Sequence, residues 1–86
     1  MHEMSVALEI CRMVEAHAPP YGLTSVVIVG IDIGDDAGVE PSNLEFCLDA
    51  LLTHPPFRAA KPVLHRCDGD VLRVSYLEID DGRSDN

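Results

Sequence analysis

One apolar run constrains the fold of this chain more than any other feature of its sequence. Between Leu23 and Ile33, six of the residues are β-branched valines and isoleucines: Val26, Val27, Ile28, Val29, Ile31 and Ile33. Such side chains are stiff and pack well on a pleated surface, so the run predicts a β-strand. The two-residue period would turn Ser25, Val27, Val29, Ile31 and Ile33 toward helices. The other face would stay partly open, with Val26 and Ile28 as a contact surface.

Helical patterns lie on both sides of this strand. Residues 4 to 18 predict a helix that ends before Pro19, Pro20 and Gly22. Its apolar stripe would consist of Met4, Ala7, Cys11, Val14 and Ala18, widened by Leu8 and Ile10. A second helix should run from Pro41 to about Thr53. Its buried stripe would be Leu44, Cys47, Leu48 and Leu51.

Two further strands are predicted after the second helix. One covers about Ala59 to Arg66, and Pro62 within it favours an edge position. Asp68 and Gly69 then indicate a tight hairpin, followed by a strand over Val71 to Ile79. The expected fold class is α+β: two helices packed on one face of a small three-stranded mixed sheet. The first two strands can be parallel, and the hairpin would make the last two antiparallel if they are neighbours. Residues 1–79 would form a single domain and residues 80–86 a polar, disordered tail.

Length, charge, cysteine content and motifs together disfavour several classes of protein. The chain has 86 residues and a formal net charge of -9, which disfavours binding to nucleic-acid phosphates. No apolar run is long enough to cross a membrane, and no secretion signal is expected. The three cysteines are odd in number and widely spaced, as expected for a reducing cytoplasm. With no phosphate-binding loop and no catalytic motif, an enzyme is not expected.

The chain begins with a chelating segment, Met1, His2 and Glu3. The terminal amine, the His2 imidazole and the amide nitrogens of His2 and Glu3 can reach one ion. Four nitrogens in a plane suit square-planar Ni(II) or Cu(II). The plainer alternative is that a histidine in second position is only part of a frayed terminus.

The remaining polar candidates have simpler interpretations. His17 should cap the end of the first helix, His54 should lie in a loop, and His65 should be half buried on a strand. Cys11 and Cys47 lie on apolar helix stripes and should be packed core residues rather than nucleophiles. Three aspartates, Asp32, Asp35 and Asp36, lack the spacing of a calcium loop, so a solvated loop is favoured.

Three motifs, in order along the chain, resemble the HypA nickel metallochaperones of nickel–iron hydrogenase maturation. The opening, residues 1–5 (Met-His-Glu-Met-Ser), is the first. The second is Ile33-Gly34, then Gly38-Val39-Glu40-Pro41 with Leu44 and Phe46. The third is the closing segment, residues 72–79 (Leu-Arg-Val-Ser-Tyr-Leu-Glu-Ile). The resemblance is weakest between His54 and Asp70.

The resemblance implies a nickel-binding accessory protein, with Ni(II) held by Met1, His2 and Glu3. Its partners would be a HypB-type GTPase and the hydrogenase large subunit. The family also has a zinc domain between its last two strands, held by two Cys-x-x-Cys pairs. Here Cys67 to Asp70 lead directly into the closing strand, so no structural zinc is expected.

The missing zinc domain leaves a second interpretation open. The chain could be a paralogue that acts as a metal-independent interaction module or assembly subunit of a hydrogenase system. A homodimer through a sheet edge is compatible with either interpretation.

Overall fold

The computed structural model describes residues 3–17 and 22–80. Helix α1 spans Glu3–Ala16 and a short 3₁₀ turn spans Leu23–Ser25. Strand β1 (Val26–Gly34), helix α2 (Pro41–Leu52), strand β2 (Lys61–Cys67) and strand β3 (Leu72–Ile79) follow in that order. This arrangement confirms the predicted α+β class with two helices and a three-stranded mixed sheet. None of the helices among the described residues is long and apolar enough to span a membrane.

The sheet has the order β2-β1-β3, so the most apolar strand occupies its centre. Strand β1 is parallel to β2 and antiparallel to β3. The edge position predicted for the strand with Pro62 is confirmed. The predicted hairpin at Asp68 and Gly69 is wrong, because β2 and β3 are not neighbours. The central position buries the apolar strand β1 between the two other strands. The free energy gained by this burial outweighs the local preference of an Asp-Gly pair for a hairpin.

The connection from β2 to β3 crosses the end of β1 and is bonded to it. The Gly34 N–H donates to the Val71 carbonyl at 2.7 Å, and the Asp35 N–H donates to the Cys67 carbonyl at 2.9 Å. The Asp36 N–H donates to the Gly69 carbonyl at 2.9 Å. Gly69 has a φ of 90°, which a glycine adopts without strain. Three backbone bonds therefore close this end of the sheet.

A bulge at the start of β1 changes which side chains face the core. Val26 pairs with Ile79 and Ile28 pairs with Glu78, so Val27 is an extra residue on β1. Val26 is 1% exposed, whereas Val27 is only half-buried. The prediction that Val26 forms an open contact surface is therefore wrong. The extra residue shifts the alternation of the strand, which a strict two-residue period does not anticipate.

The core lies between the sheet and the two helices. Helix α1 buries a stripe that includes Val6 and Ile10, while Met4 and Leu8, expected in the stripe, are each 44% exposed. Ala18 lies outside the described residues. In α2 the fully buried residues are Leu44, Leu48 and Leu52, with Cys47 and Leu51 at the margin. The whole buried apolar set is Val6, Ala7, Ile10, Cys11, Val14, Val26, Val29, Ile31, Ile33, Leu44, Leu48, Leu52, Phe57 and Ala60.

Strand β1 begins three residues later than the apolar run suggests. Gly22 has a φ of 85°, and the Ser25 N–H donates to the Gly22 carbonyl at 3.2 Å. The Ser25 hydroxyl donates to the same carbonyl at 2.7 Å, so a turn replaces the first strand residues. At the same end of the sheet, the Asp80 N–H donates to the Ser25 carbonyl at 2.8 Å. Residues 81–86 of the predicted tail lie outside the described residues.

Candidate metal centre

Of the predicted nickel residues, the structure describes Glu3, and Met1 and His2 lie outside the described residues. Glu3 is the first residue of α1. Its amide nitrogen, one of the predicted donors, therefore lies at the N-terminal end of α1.

The Glu3 side chain ties the beginning of α1 to the loop before α2. Its Oε2 atom accepts a hydrogen bond from the backbone N–H of Glu40 at 3.0 Å. The two residues are 37 positions apart in the chain. A bond to an ionised carboxylate is stronger than one between neutral groups. This contact fixes the residue that adjoins His2 against a second structural element.

Glu40 in turn caps α2. Its side chain accepts a hydrogen bond from the Asn43 N–H at 2.8 Å, and Pro41 occupies the first turn, where it costs no helical bond. The starts of both helices therefore meet at the Glu3–Glu40 contact. Each start carries partial positive charge from its peptide dipoles. The two carboxylates complement that charge.

Binding through two amide nitrogens would require both to lose a proton. The positive ends of the two helices favour the resulting negative charge, whereas the Glu3 and Glu40 carboxylates oppose it. Two deprotonated amides and Ni(II) sum to no net charge, since the amine and imidazole bind as neutral donors. The bound ion would therefore meet no repulsion from the helix dipoles.

Replacing Glu3 by alanine should reduce stability by about 1 kcal/mol, because the Glu40 N–H would lose its acceptor. Chemical unfolding would measure the change. Glu9→Ala is a matched control, since Glu9 only pairs with Arg12 on the exposed surface of the same helix. Equal losses in the two variants would contradict a structural role for the Glu3–Glu40 contact.

The three other histidines lie apart in the fold. His17 contacts the Met13 carbonyl through Nδ1 at 3.0 Å, which confirms its capping role at the end of α1. His54 is exposed in the turn after α2, as predicted. His65 is exposed on β2, whereas the sequence suggested a half-buried position.

His65 belongs to a contact that the sequence did not reveal. Its Nε2 lies 3.4 Å from the Tyr76 hydroxyl, and the two ring centroids are 5.8 Å apart. The Tyr76 ring lies across Gly30 of the central strand, where any Cβ would collide with it. In the sequence, the indication of this contact was Gly30, a glycine within a run of mainly β-branched residues.

The three cysteines, all among the described residues, are free thiols. Cys11 is buried in the core as predicted, and this burial, with a smaller contribution from Glu15, raises the pKa of its thiol. Cys47 is half-buried beside the core, and Cys67 is half-buried at the end of β2. Among residues 3–17 and 22–80, no three His, Cys, Asp or Glu side chains form a group that could hold a metal ion.

Two of the aspartates near the first turn are engaged in ion pairs. Asp32 accepts a bond from Nε of Arg73 at 3.0 Å, and Asp35 lies 3.6 Å from Arg66. Asp35 is exposed in the turn after β1, as predicted, whereas Asp32 lies within β1 and is half-buried, so the prediction of a loop is wrong for Asp32.

Glu40 is the residue that sequence reasoning undervalued. Its place directly before Pro41 puts its charge at the positive start of a helix, and this much was readable from the sequence. Its backbone contact with Glu3 depends on how the two helices pack, which no local pattern encodes.

Comparison with known proteins agrees with the resemblance noted in the sequence. The family described as "Hydrogenase/urease nickel incorporation, metallochaperone, hypA" matches residues 1–75. A hydrogenase maturation factor HypA from Parabacteroides distasonis is 34% identical over 70 residues, covering 81% of this chain and 61% of that protein. The HypA of Chlorobium luteolum is 36% identical over 69 residues, covering 80% of this chain and 59% of that protein.

The chain thus spans about three fifths of the length of these two relatives. A third, the HypA of Azoarcus sp., is 48% identical over 52 residues, covering 60% of this chain and 46% of that protein. No solved structure matches the chain. The match over residues 1–75 includes the N-terminal segment, α1, the central strand and α2. The chain belongs to the HypA family.

Proposed function

We propose that this chain is a nickel-binding accessory protein, a metallochaperone, of nickel–iron hydrogenase maturation. It accepts Ni(II) at its N-terminal segment and passes the ion on. The donors are the amine of Met1, the imidazole and amide nitrogen of His2, and the amide nitrogen of Glu3. The ion is cargo, and no catalysis is involved.

The observation that carries this proposal is the contact between Glu3 and Glu40. A chelating terminus that is frayed must be ordered each time it binds an ion, which costs conformational entropy. The bond from the Glu40 N–H to the Glu3 carboxylate holds one residue of the segment in place before binding. The Glu3 amide nitrogen, one of the proposed donors, then lies where the starts of the two helices meet.

The donor set predicts how binding and release depend on conditions. The imidazole must be neutral and both amides must be deprotonated, so nickel affinity rises with pH and falls as acid is added. Copper(II) binds the same donors more tightly than nickel, following the usual order of divalent metals. Selection of nickel therefore depends on metal supply and on partners rather than on this site.

The partners and the location follow from the family. A HypB-type GTPase and the hydrogenase large subunit are the proposed contacts in the cytoplasm. The zinc domain of the family has no counterpart in this chain, and we propose that no structural zinc is bound. The short connection from β2 to β3 supports this, because Cys67 is the one cysteine beside it and a structural zinc site takes four Cys or His ligands.

Replacing His2 by alanine should abolish nickel-dependent hydrogenase activity in cells that rely on this chain. The substitution removes the imidazole nitrogen donor and the chelate ring that it closes around the metal ion. The variant should still fold, since the buried core consists of residues between Val6 and Ala60. Activity would be measured after complementation at low nickel, and again with excess nickel in the medium. Excess nickel should restore most of the activity by bypassing delivery.

Glu9→Ala again serves as the control, because it changes an exposed residue of the same helix and should leave activity unchanged. Full activity of His2→Ala at low nickel would contradict the metallochaperone. That result would favour the alternative, a metal-independent interaction module that keeps its partner without carrying the ion.

A further inference from the structure

Phe46 on α2 is the most exposed large apolar side chain among the described residues, at 76%. A single exposed apolar residue is ordinary on a protein surface and indicates no function by itself. What sets Phe46 apart is the chemistry of the side chains around it on the outer side of α2.

Small side chains adjoin Phe46 along the helix. Ser42 and Ala50 lie one turn before it and one turn after it, on the same side of α2, and both are exposed. Because these neighbours are small, they leave the Phe46 ring open to approach. An apolar pocket of another molecule could therefore enclose the ring.

Two carboxylates on the same outer surface lack a counter-ion. Glu45 and Asp49 are exposed and four residues apart, so their charges repel each other along the helix. Neither takes part in an ion pair among the described residues. Helix α2 contains no lysine or arginine that could offset them. The pair therefore weakens α2, and cationic groups from outside would relieve the repulsion.

We propose that the acidic face of α2, formed by Ser42, Glu45, Phe46, Asp49 and Ala50, is a docking surface for the partner that exchanges Ni(II) with this chain. The inference rests on the proposed function, under which a HypB-type GTPase is such a partner. The surface that fits is an apolar pocket for the Phe46 ring, bordered by lysines or arginines that pair with the two carboxylates. An aromatic anchor within a polar rim is the usual form of a protein interface.

The charges of the acidic face disfavour other occupants. A second copy of the chain would bring the same two carboxylates together across a two-fold axis. Nucleic acids and anionic membranes are repelled by these carboxylates and by the net charge of -9. A basic protein surface is attracted by both, and salt screens the attraction.

The acidic face begins near the contact that anchors the proposed metal site. Phe46 follows Glu40, the cap of α2, by six residues, which is about 9 Å along the helix axis. The Glu40 N–H donates to the Glu3 carboxylate at 3.0 Å. A partner that holds Phe46 would therefore lie within about two helical turns of the contact that fixes Glu3.

Titration calorimetry of the chain with the purified HypB-type GTPase of the same organism tests the proposal. Phe46→Ala should weaken binding at least about tenfold, because the aromatic anchor is lost. The variant should fold, since the ring lies outside the core, and circular dichroism would verify this. Leu8→Ala is the matched control, because Leu8 is an apolar side chain of α1 that is 44% exposed, and it should bind like the wild type.

A double variant, Glu45→Gln with Asp49→Asn, tests the charges of the acidic face. Its affinity for the GTPase should be lower than that of the wild type at low salt and should change less as salt is added. Glu9→Gln with Glu15→Gln alters the net charge by the same amount on the exposed side of α1. This control should keep the salt dependence of the wild type.

Three results would overturn the proposal: a wild-type chain that does not bind the GTPase, Phe46→Ala that binds it as tightly as Leu8→Ala, or a double variant of α2 with the salt dependence of the wild type. Sedimentation of the chain alone examines the remaining occupant. Self-association that Phe46→Ala weakens, with GTPase binding unchanged, would assign the acidic face to a second copy and also overturn the proposal.

Nickel titration distinguishes this inference from the proposed function. Phe46→Ala should bind Ni(II) like the wild type, because the ring belongs to none of the proposed donors. A wild-type chain that binds the GTPase through Phe46 but takes up no Ni(II) would support the docking surface and contradict the metallochaperone.

Discussion

Gly34→Ala should destabilise this domain by about 3 kcal/mol, because the added methyl group has no room. A Cβ at Gly34 would overlap the carbonyl oxygen of Gly69 and lie 2.8 Å from the Val71 nitrogen. Both atoms belong to the backbone that crosses the end of β1, and both strand ends are tied there by hydrogen bonds. Backbone held in this way cannot move aside as a flexible side chain could. Urea-induced unfolding would measure the loss.

Gly38→Ala is the matched control for this prediction. Gly38 has a φ of 76°, but no atom lies within 4 Å of the position that an added methyl group would occupy. Its substitution should therefore cost only the strain of the left-handed conformation, about 1 kcal/mol. If Gly34→Ala were no more destabilising than Gly38→Ala, the close approach of the crossing connection would be refuted.

Leu48→Ala should cost about 2 to 5 kcal/mol, the range for emptying a fully buried leucine site. Leu48 is 0% exposed and belongs to the core beneath α2. Domains of this size have little stability in reserve, so such a loss would leave much of the protein unfolded at physiological temperature. Thermal unfolding followed by circular dichroism would measure it.

Phe46→Ala on the same helix provides the comparison. Phe46 is the larger side chain, but it is 76% exposed. Its removal should change stability by no more than about 0.5 kcal/mol. A large loss for Phe46→Ala, or a small one for Leu48→Ala, would mean that α2 presents a different face to the sheet.

The number and type of elements followed from local patterns. The β-branched run between Leu23 and Ile33 became the central strand, and the stripe of Leu44 and Leu48 became the inner face of α2. Pro62 correctly indicated an edge strand. These features are decided by periodicity, side-chain branching and proline geometry, which act over a few residues.

The errors share a different physical origin. The extra residue Val27 turned the Val26 side chain into the core. The burial of β1 between the other strands placed the Asp68-Gly69 turn across the end of β1 instead of within a hairpin. Both outcomes depend on contacts between residues far apart in the chain. A bulge or a crossing leaves no period in the sequence by which it could be recognised.

The candidate site was predictable to a similar extent. The chelating power of Met1, His2 and Glu3 is a property of adjacent donors, so the sequence alone suggests it. The contact of Glu3 with Glu40 joins two helices and became visible only in the fold. The role of Glu3 is therefore twofold in this account: a proposed amide donor and an observed side-chain anchor.

The most direct test is titration of the untagged chain with Ni(II), beside His2→Ala and a form extended by residues before Met1. Calorimetry would give the stoichiometry and affinity, and the absorption of planar nickel would identify the donors. We predict one equivalent bound with the spectrum of a diamagnetic, four-nitrogen site, at an affinity that rises with pH. Both variants should bind Ni(II) more than about 100-fold more weakly. This loss is larger than the loss caused by changing a residue that only hydrogen-bonds to a metal ligand. Nickel binding that neither change affects would contradict the N-terminal site.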